Sequence, residues 1–170
     1  MHKNVLAFFI MGAAVIFAPQ AAMSADAVKS AAKPKVSAKT LERGKYMVQT
    51  GHCNNCHTSG YTSKQGKVAE KDWLLGSTPL GYRGPWGTTY ASNLRLTVSQ
   101  FTQEQWVKYA KAIEPRPPMP WWALRDTTEA DLGAMYQYIN HLGRAGEPAP
   151  DFITPDKEPK PPYEQRQLVK

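Results

Sequence analysis

The sequence predicts an all-α domain with three main helices, on three observations. Two segments in its second half place apolar residues at helical spacing behind capping signals. No segment shows convincing strand alternation. The length of 170 residues and the 42% hydrophobic fraction suit one domain with an ordinary packed core.

Taken in order, the chain opens with His2 and Lys3, an apolar run from Val5 to Ala18, and small residues after Pro19. A run of about 10–14 apolar residues is too short to span a bilayer and suits the core of a cleaved signal peptide. Ser24, Ala25 and Ala27 each offer small residues for cleavage; Ala25 is favoured, which gives a leader over 1–25. Residues 26–39 are rich in Ala, Lys and Ser without apolar period and read as a disordered linker. The main domain is expected over 40–146. Its first helix runs from near Thr40 towards Thr50, with Leu41, Tyr46, Met47 and Val48 as apolar positions. Residues 58–98 read as loops with one short helix near Lys71–Leu75. A second helix starts at Thr102, where Thr102 and Gln105 form a capping box and Phe101 can pack on Trp106; Pro115, Pro117, Pro118 and Pro120 end it. The third helix, about Thr128 to Leu142, carries the stripe Leu132, Met135, Tyr136, Ile139 and Leu142 and closes at Gly143. The tail, 147–170, holds six of the 14 prolines and is expected to lie extended over the surface.

The formal net charge is +7, and removal of the leader with its single lysine leaves 20 basic against 14 acidic residues, or +6. A basic surface could face nucleic acid, anionic lipid or an acidic protein. Export makes nucleic acid an improbable partner, and no second apolar stretch supports membrane insertion once the leader is gone.

The two cysteines fall in Cys53-Asn54-Asn55-Cys56-His57, the attachment signature of c-type haem. Two intervening residues put both sulfurs on one side of a tight turn, where each can form a thioether to a haem vinyl. The histidine that follows can then bind iron, with its other nitrogen fixed by a backbone carbonyl. A thiol–disulfide oxidoreductase also uses Cys-x-x-Cys, but normally within a strand–helix–strand frame that this sequence does not offer. Zinc held by His52, Cys53, Cys56 and His57 is disfavoured because adjacent residues point in different directions.

A second iron ligand would decide between carrying electrons and binding a small molecule. The candidates are Met47, Met119, Met135, His52 and His141. Met47 and Met135 lie on apolar helical faces and read as core. His52 adjoins the attachment motif and cannot reach the opposite face of the ring, and His141 complements a helix C-terminus. Met119 lies in the stiff loop Glu114-Pro115-Arg116-Pro117-Pro118-Met119-Pro120-Trp121, which suits holding a weak thioether bond.

Several further stretches resemble bacterial class I cytochromes c. They are Arg43-Gly44-Lys45-Tyr46 ahead of the haem motif, Pro118-Met119-Pro120-Trp121, and Asp131-Leu132-Gly133-Ala134-Met135-Tyr136-Gln137-Tyr138-Ile139. Gly84-Pro85-Trp86-Gly87 and Ala91-Ser92-Asn93-Leu94 are similar to stretches in the cytochrome modules of periplasmic dehydrogenases. The resemblance covers about residues 39–143. It implies a cytochrome c fold around one covalently attached haem, with Gly44 at a helix crossing against Tyr136 or Tyr138. It also implies a carbonyl partner for His57 at Pro79 or Pro85. The five tryptophans (Trp73, Trp86, Trp106, Trp121, Trp122) then read as pocket wall and core.

The resulting expectation is a periplasmic mono-haem electron carrier and not an enzyme. Cys53 and Cys56 hold the haem, and His57 and Met119 bind its iron. Its partners are a dehydrogenase, reductase or oxidase, and it is either a free shuttle or a subunit of a dehydrogenase complex. The rivals are a haem protein with a labile ligand that binds a gas or acts as a weak peroxidase, and a periplasmic thiol–disulfide oxidoreductase.

Overall fold

The computed structural model describes residues 36–167. The expected leader, 1–25, and most of the expected linker lie outside them. Six helices are described: α1 (Ala38–Thr50), α2 (Cys53–His57), α3 (Leu94–Val98), α4 (Gln103–Ala112), α5 (Trp121–Asp126) and α6 (Glu129–Leu142). A 3₁₀ turn covers Glu70–Asp72, near the short helix expected at Lys71–Leu75. Three short strands, β1 (Gly81–Gly84), β2 (Gly87–Thr89) and β3 (Tyr163–Gln165), complete the chain.

Local chemistry accounts for the main helix starts. The Ser37 hydroxyl accepts from the Thr40 N–H, so α1 begins within the stretch expected to be linker. The capping box at α4 has both arms, with Thr102 N–H to Gln105 Oε1 at 2.9 Å and Gln105 N–H to Thr102 Oγ1 at 3.3 Å. Phe101 stacks on Tyr109 (4.8 Å between ring centroids), one turn beyond the expected Trp106. Thr128 caps α6 through the Asp131 N–H, and Gly143 takes a positive φ of 75° at its end.

The core lies where α1, α4 and α6 meet. Val48, Trp73, Leu74, Val98, Trp106, Ala110, Leu132, Met135, Tyr138 and Ile139 form one buried cluster. Met135 is therefore a core residue, as the helical stripe implied. Helix α1 crosses α6 at Gly44, where a Cβ would lie 2.6 Å from Tyr138 Cβ and 2.7 Å from the Ala134 carbonyl carbon. Only a residue without a side chain permits that approach. A bidentate ion pair from Arg43 to Asp131 (2.7 and 3.0 Å) flanks the crossing. Buried Arg95 on α3 donates to the carbonyls of Gly143 (2.5 Å), Leu142 and Lys71 (2.8 Å) and so satisfies the open end of α6.

The expectation of an all-α cytochrome c fold with three main helices is corrected by the sheet. Strand β1 pairs antiparallel with β2 and parallel with β3, in the order β2-β1-β3, so the chain mixes helix and sheet. Each strand has only three or four residues, and β1 and β2 read Gly-Tyr-Arg-Gly and Gly-Thr-Thr. No alternating pattern fits in so few residues. The tail, expected to lie extended over the surface, supplies β3 and is hydrogen-bonded into the fold. Ile153 and Thr88 exchange backbone bonds (2.7 and 3.0 Å), Gly81 N–H donates to Pro162 O (3.1 Å), and Arg166 N–H donates to Arg83 O (2.6 Å). Gly87, at φ 106°, lies so close beneath Ile153 O that any side chain there would collide with the tail. Among the described residues no helix is long and apolar enough to cross a membrane.

Candidate functional site

Helix α2 is one short turn that carries Cys53, Cys56 and His57. His52 ahead of it takes a left-handed backbone (φ 57°), which turns the chain sharply between α1 and α2. Both cysteines are free thiols and half-buried. Burial pushes the Cys53 thiol up to about 11.

His57 is buried and fixed on two sides. Its backbone oxygen accepts from the Gly76 N–H (2.8 Å), and its ring Nδ1 lies 2.7 Å from the Ser92 carbonyl oxygen. A carbonyl can only accept, so Nδ1 carries the proton and Nε2 the lone pair. Burial lowers the affinity of the ring for a second proton, although the Ser92 bond works in the other direction. The result is a neutral imidazole of defined tautomer, the form that binds a metal ion. The expected carbonyl partners, Pro79 and Pro85, are replaced by Ser92. Ser92 is held there because Ala91 bonds to Ser77 through both backbone and side chain.

The residues next to His57 are locked as well. The Thr58 hydroxyl donates to Asn54 Oδ1 (2.7 Å) and accepts the Leu74 N–H (2.8 Å). All three residues are buried. These contacts tie α2 to the segment running from Leu74 to Gly76.

Met119 is half-buried in the loop between α4 and α5, behind a cis Pro117–Pro118 bond. It lines a cavity of about 330 Å³ with Trp86, Trp121, Trp122 and the tail residue Arg166. Cys53, Cys56 and His57 are not among the lining residues of that cavity. The turn that carries Cys53, Cys56 and His57 neighbours the sheet instead, and so does the Met119 cavity. Tyr82 on β1 is buried, and burial first and the neighbouring Cys56 thiol second raise the affinity of the phenol for its proton. The Arg166 guanidinium lies 5.7 Å from the centroid of the Tyr82 ring and also borders the Met119 cavity.

The other ligand candidates lie elsewhere. Met135 is in the core, Met47 packs against it, and His52 and His141 are exposed. Of the five tryptophans, Trp73 and Trp106 are core and the other three line the cavity. Sequence reasoning missed Ser92, Tyr82 and Arg166. Only Ser92, in the Ala91–Leu94 stretch, lay in a segment already singled out. Among the described residues no three His, Cys, Asp or Glu side chains are placed to share a metal ion, the arrangement a zinc site needs.

Comparison with known proteins gives no match to a family model, to a curated protein or to a solved structure, and so identifies no haem-binding fold. The donor set can still be tested on its own chemistry. Two free thiols one helical turn apart, followed by a neutral histidine whose Nδ1 is already committed, fit a covalently attached haem. They fit thiol–disulfide exchange poorly, since that chemistry needs a cysteine whose thiolate is favoured, and burial disfavours the thiolate of Cys53.

Proposed function

We propose that this chain is an exported one-electron carrier that holds a single haem through thioethers from Cys53 and Cys56, with His57 and Met119 as iron ligands. The observation that carries the reading is the His57 imidazole, buried and held by Ser92 in the tautomer that leaves Nε2 as the donor, directly after the two thiols. The stretches that resemble class I cytochromes c support it. That likeness is one of motifs.

A haem supplies a one-electron couple, and a His/Met pair raises its potential relative to His/His and leaves no open position. The chain's own residues do the rest. The Ser92 carbonyl orients the ring of His57 and raises its basicity as a donor. The network of Thr58, Asn54 and Leu74 keeps α2 from shifting under it. Met119, between two prolines and beside Trp121, has little freedom to lose on binding. Electrons pass to and from other periplasmic redox proteins, such as a dehydrogenase of which this chain is a partner or a subunit.

The test is carbon monoxide binding to the reduced protein. The wild type is expected to refuse the gas, and Met119→Ala to bind it and lose the iron–methionine absorption band. A wild type that binds the gas readily would instead support a ligand-binding haem protein.

A further inference from the structure

Asn93 is only 2% exposed, and both ends of its side-chain amide are engaged. Its Oδ1 accepts the Leu96 N–H (3.1 Å) and caps α3. Its Nδ2 donates to two carbonyls in the turn that follows α6, those of Ala145 (2.8 Å) and Glu147 (3.2 Å). A cap needs only the oxygen, and serine or aspartate would supply one as well. What calls for an amide here is the pair of donated bonds, which join segments 52 and 54 positions apart.

Those bonds act next to Ser92, whose carbonyl oxygen lies 2.7 Å from Nδ1 of the His57 ring. On one flank Ala91 is pinned to Ser77. The Ala91 N–H donates to Ser77 Oγ (2.9 Å), and Ala91 O accepts the Ser77 N–H (3.1 Å). On the other flank the Leu94 N–H donates to Leu74 O (2.9 Å), and the Asn93 amide reaches across to the turn. That turn is itself anchored to α3 and its end. Arg95 donates to the carbonyls of Leu142 and Gly143, and Arg144 donates to Ser99 Oγ. Gly146 takes a positive φ of 71°, and a Cβ there would lie 3.0 Å from Asn93 Nδ2.

We propose that Asn93 is a positioning residue for His57: its amide straps the backbone at Ser92 to the turn after α6 and so fixes the carbonyl that orients the ring. This role exists only if His57 binds iron as proposed above. A histidine whose Nδ1–H is held by a carbonyl is the better donor through Nε2. Stronger donation favours the oxidised iron, so the strap holds the potential down. Loosening it frees the Ser92 carbonyl, weakens the bond to Nδ1 and shifts the reduction equilibrium towards the reduced state.

The experiment compares the haem-loaded full-length wild type with Asn93→Ser, Asn93→Ala and Gly146→Ala. Serine keeps the cap but is too short to reach Ala145 and Glu147, whereas alanine removes both functions. Thermal unfolding reads the cap. The exchange rate of the His57 Nδ1 proton, from NMR of the reduced protein, and the redox potential read the strap. Asn93→Ser is expected to exchange that proton about tenfold faster, the factor that goes with one lost hydrogen bond, and to have a raised potential. Asn93→Ala should match it in both readouts and melt at a lower temperature than Asn93→Ser. Gly146→Ala crowds the amide from the far side and should move both readouts in the same direction. An Asn93→Ser protein with haem loaded whose exchange rate or potential stays at the wild-type value overturns the strap. So does a shift in Asn93→Ala that serine restores, since it would belong to the cap alone. A chain that carries no haem in any variant overturns the functional reading instead.

Discussion

Replacement of Gly44 by alanine tests the packing that holds the site's scaffold together. At an exposed helical position this change would stabilise the chain by about 1 kcal/mol, because glycine is the poorer helix former. Here the new Cβ would sit 2.6 Å from Tyr138 Cβ and 2.7 Å from the Ala134 carbonyl carbon, and closer still to the Ala134 oxygen. Carbon atoms pack best at about 3.5–4.0 Å, so α1 and α6 must part by roughly 1 Å. The obstacle is mostly backbone and cannot rotate aside. Overpacking of this kind costs typically 1–3 kcal/mol, and the rigid obstruction places Gly44→Ala at the upper end. Subtracting the helix-propensity gain leaves a net loss of about 2 kcal/mol, or a fall in Tm of roughly 4–8 °C for a chain of this size. Thermal unfolding followed by far-ultraviolet circular dichroism reads it directly. Gly133→Ala is the control, since its Cβ meets only the flexible Gln103 side chain, at 3.0 Å. It should change stability by less than about 1 kcal/mol. A Gly44→Ala protein that melts with or above the wild type would refute the reasoning.

Two further outcomes follow from named contacts. Thr58→Val leaves the buried Leu74 N–H and Asn54 Oδ1 without their partner and should cost about 1–3 kcal/mol in urea unfolding, whereas Thr58→Ser should behave like the wild type. Glu70 accepts from Lys45 (2.5 Å) and Tyr138 (2.7 Å), and these bonds hold its carboxyl below the ordinary value of 4.5. Because the folded state binds this proton less readily than the unfolded chain, the contribution is complete above pH 4.5 and is lost as the pH falls through the depressed value. Glu70→Gln should therefore flatten the acid arm of a plot of urea midpoint against pH; an unchanged arm would show that Glu70 does not contribute.

The parts of the fold legible in the sequence are those whose signal is local. Thr102 and Gln105 are three residues apart, and Thr128 and Gly143 bracket a stripe of 14 residues, so α4 and α6 can be read from neighbours alone. The Cys53-Asn54-Asn55-Cys56-His57 run is legible for the same reason. The sheet is not, because β3 pairs with β1 across about 80 residues of chain and each strand is too short to carry a period. Helix α5 escapes notice for a similar reason. It has six residues behind Pro120, and none of them is buried, so no apolar face betrays it. The partner of His57 is hidden for another reason: a backbone carbonyl is common to every residue, so nothing in the identity of Ser92 announces that its oxygen faces a ring 35 positions earlier. Arg95 and Arg166 are likewise recognisable as surface charge in the sequence. Only the folded chain shows one closing the end of α6 and the other reaching the Met119 cavity.

The central claim is that Cys53 and Cys56 carry a haem. Mass spectrometry of the denatured chain, purified from a host that matures c-type haem and exports the protein, tests it most directly. The account predicts a polypeptide heavier by one haem, with the added mass on the peptide that contains residues 53–57 and lost when both cysteines are replaced by alanine. A chain of bare polypeptide mass with two titratable thiols would contradict it.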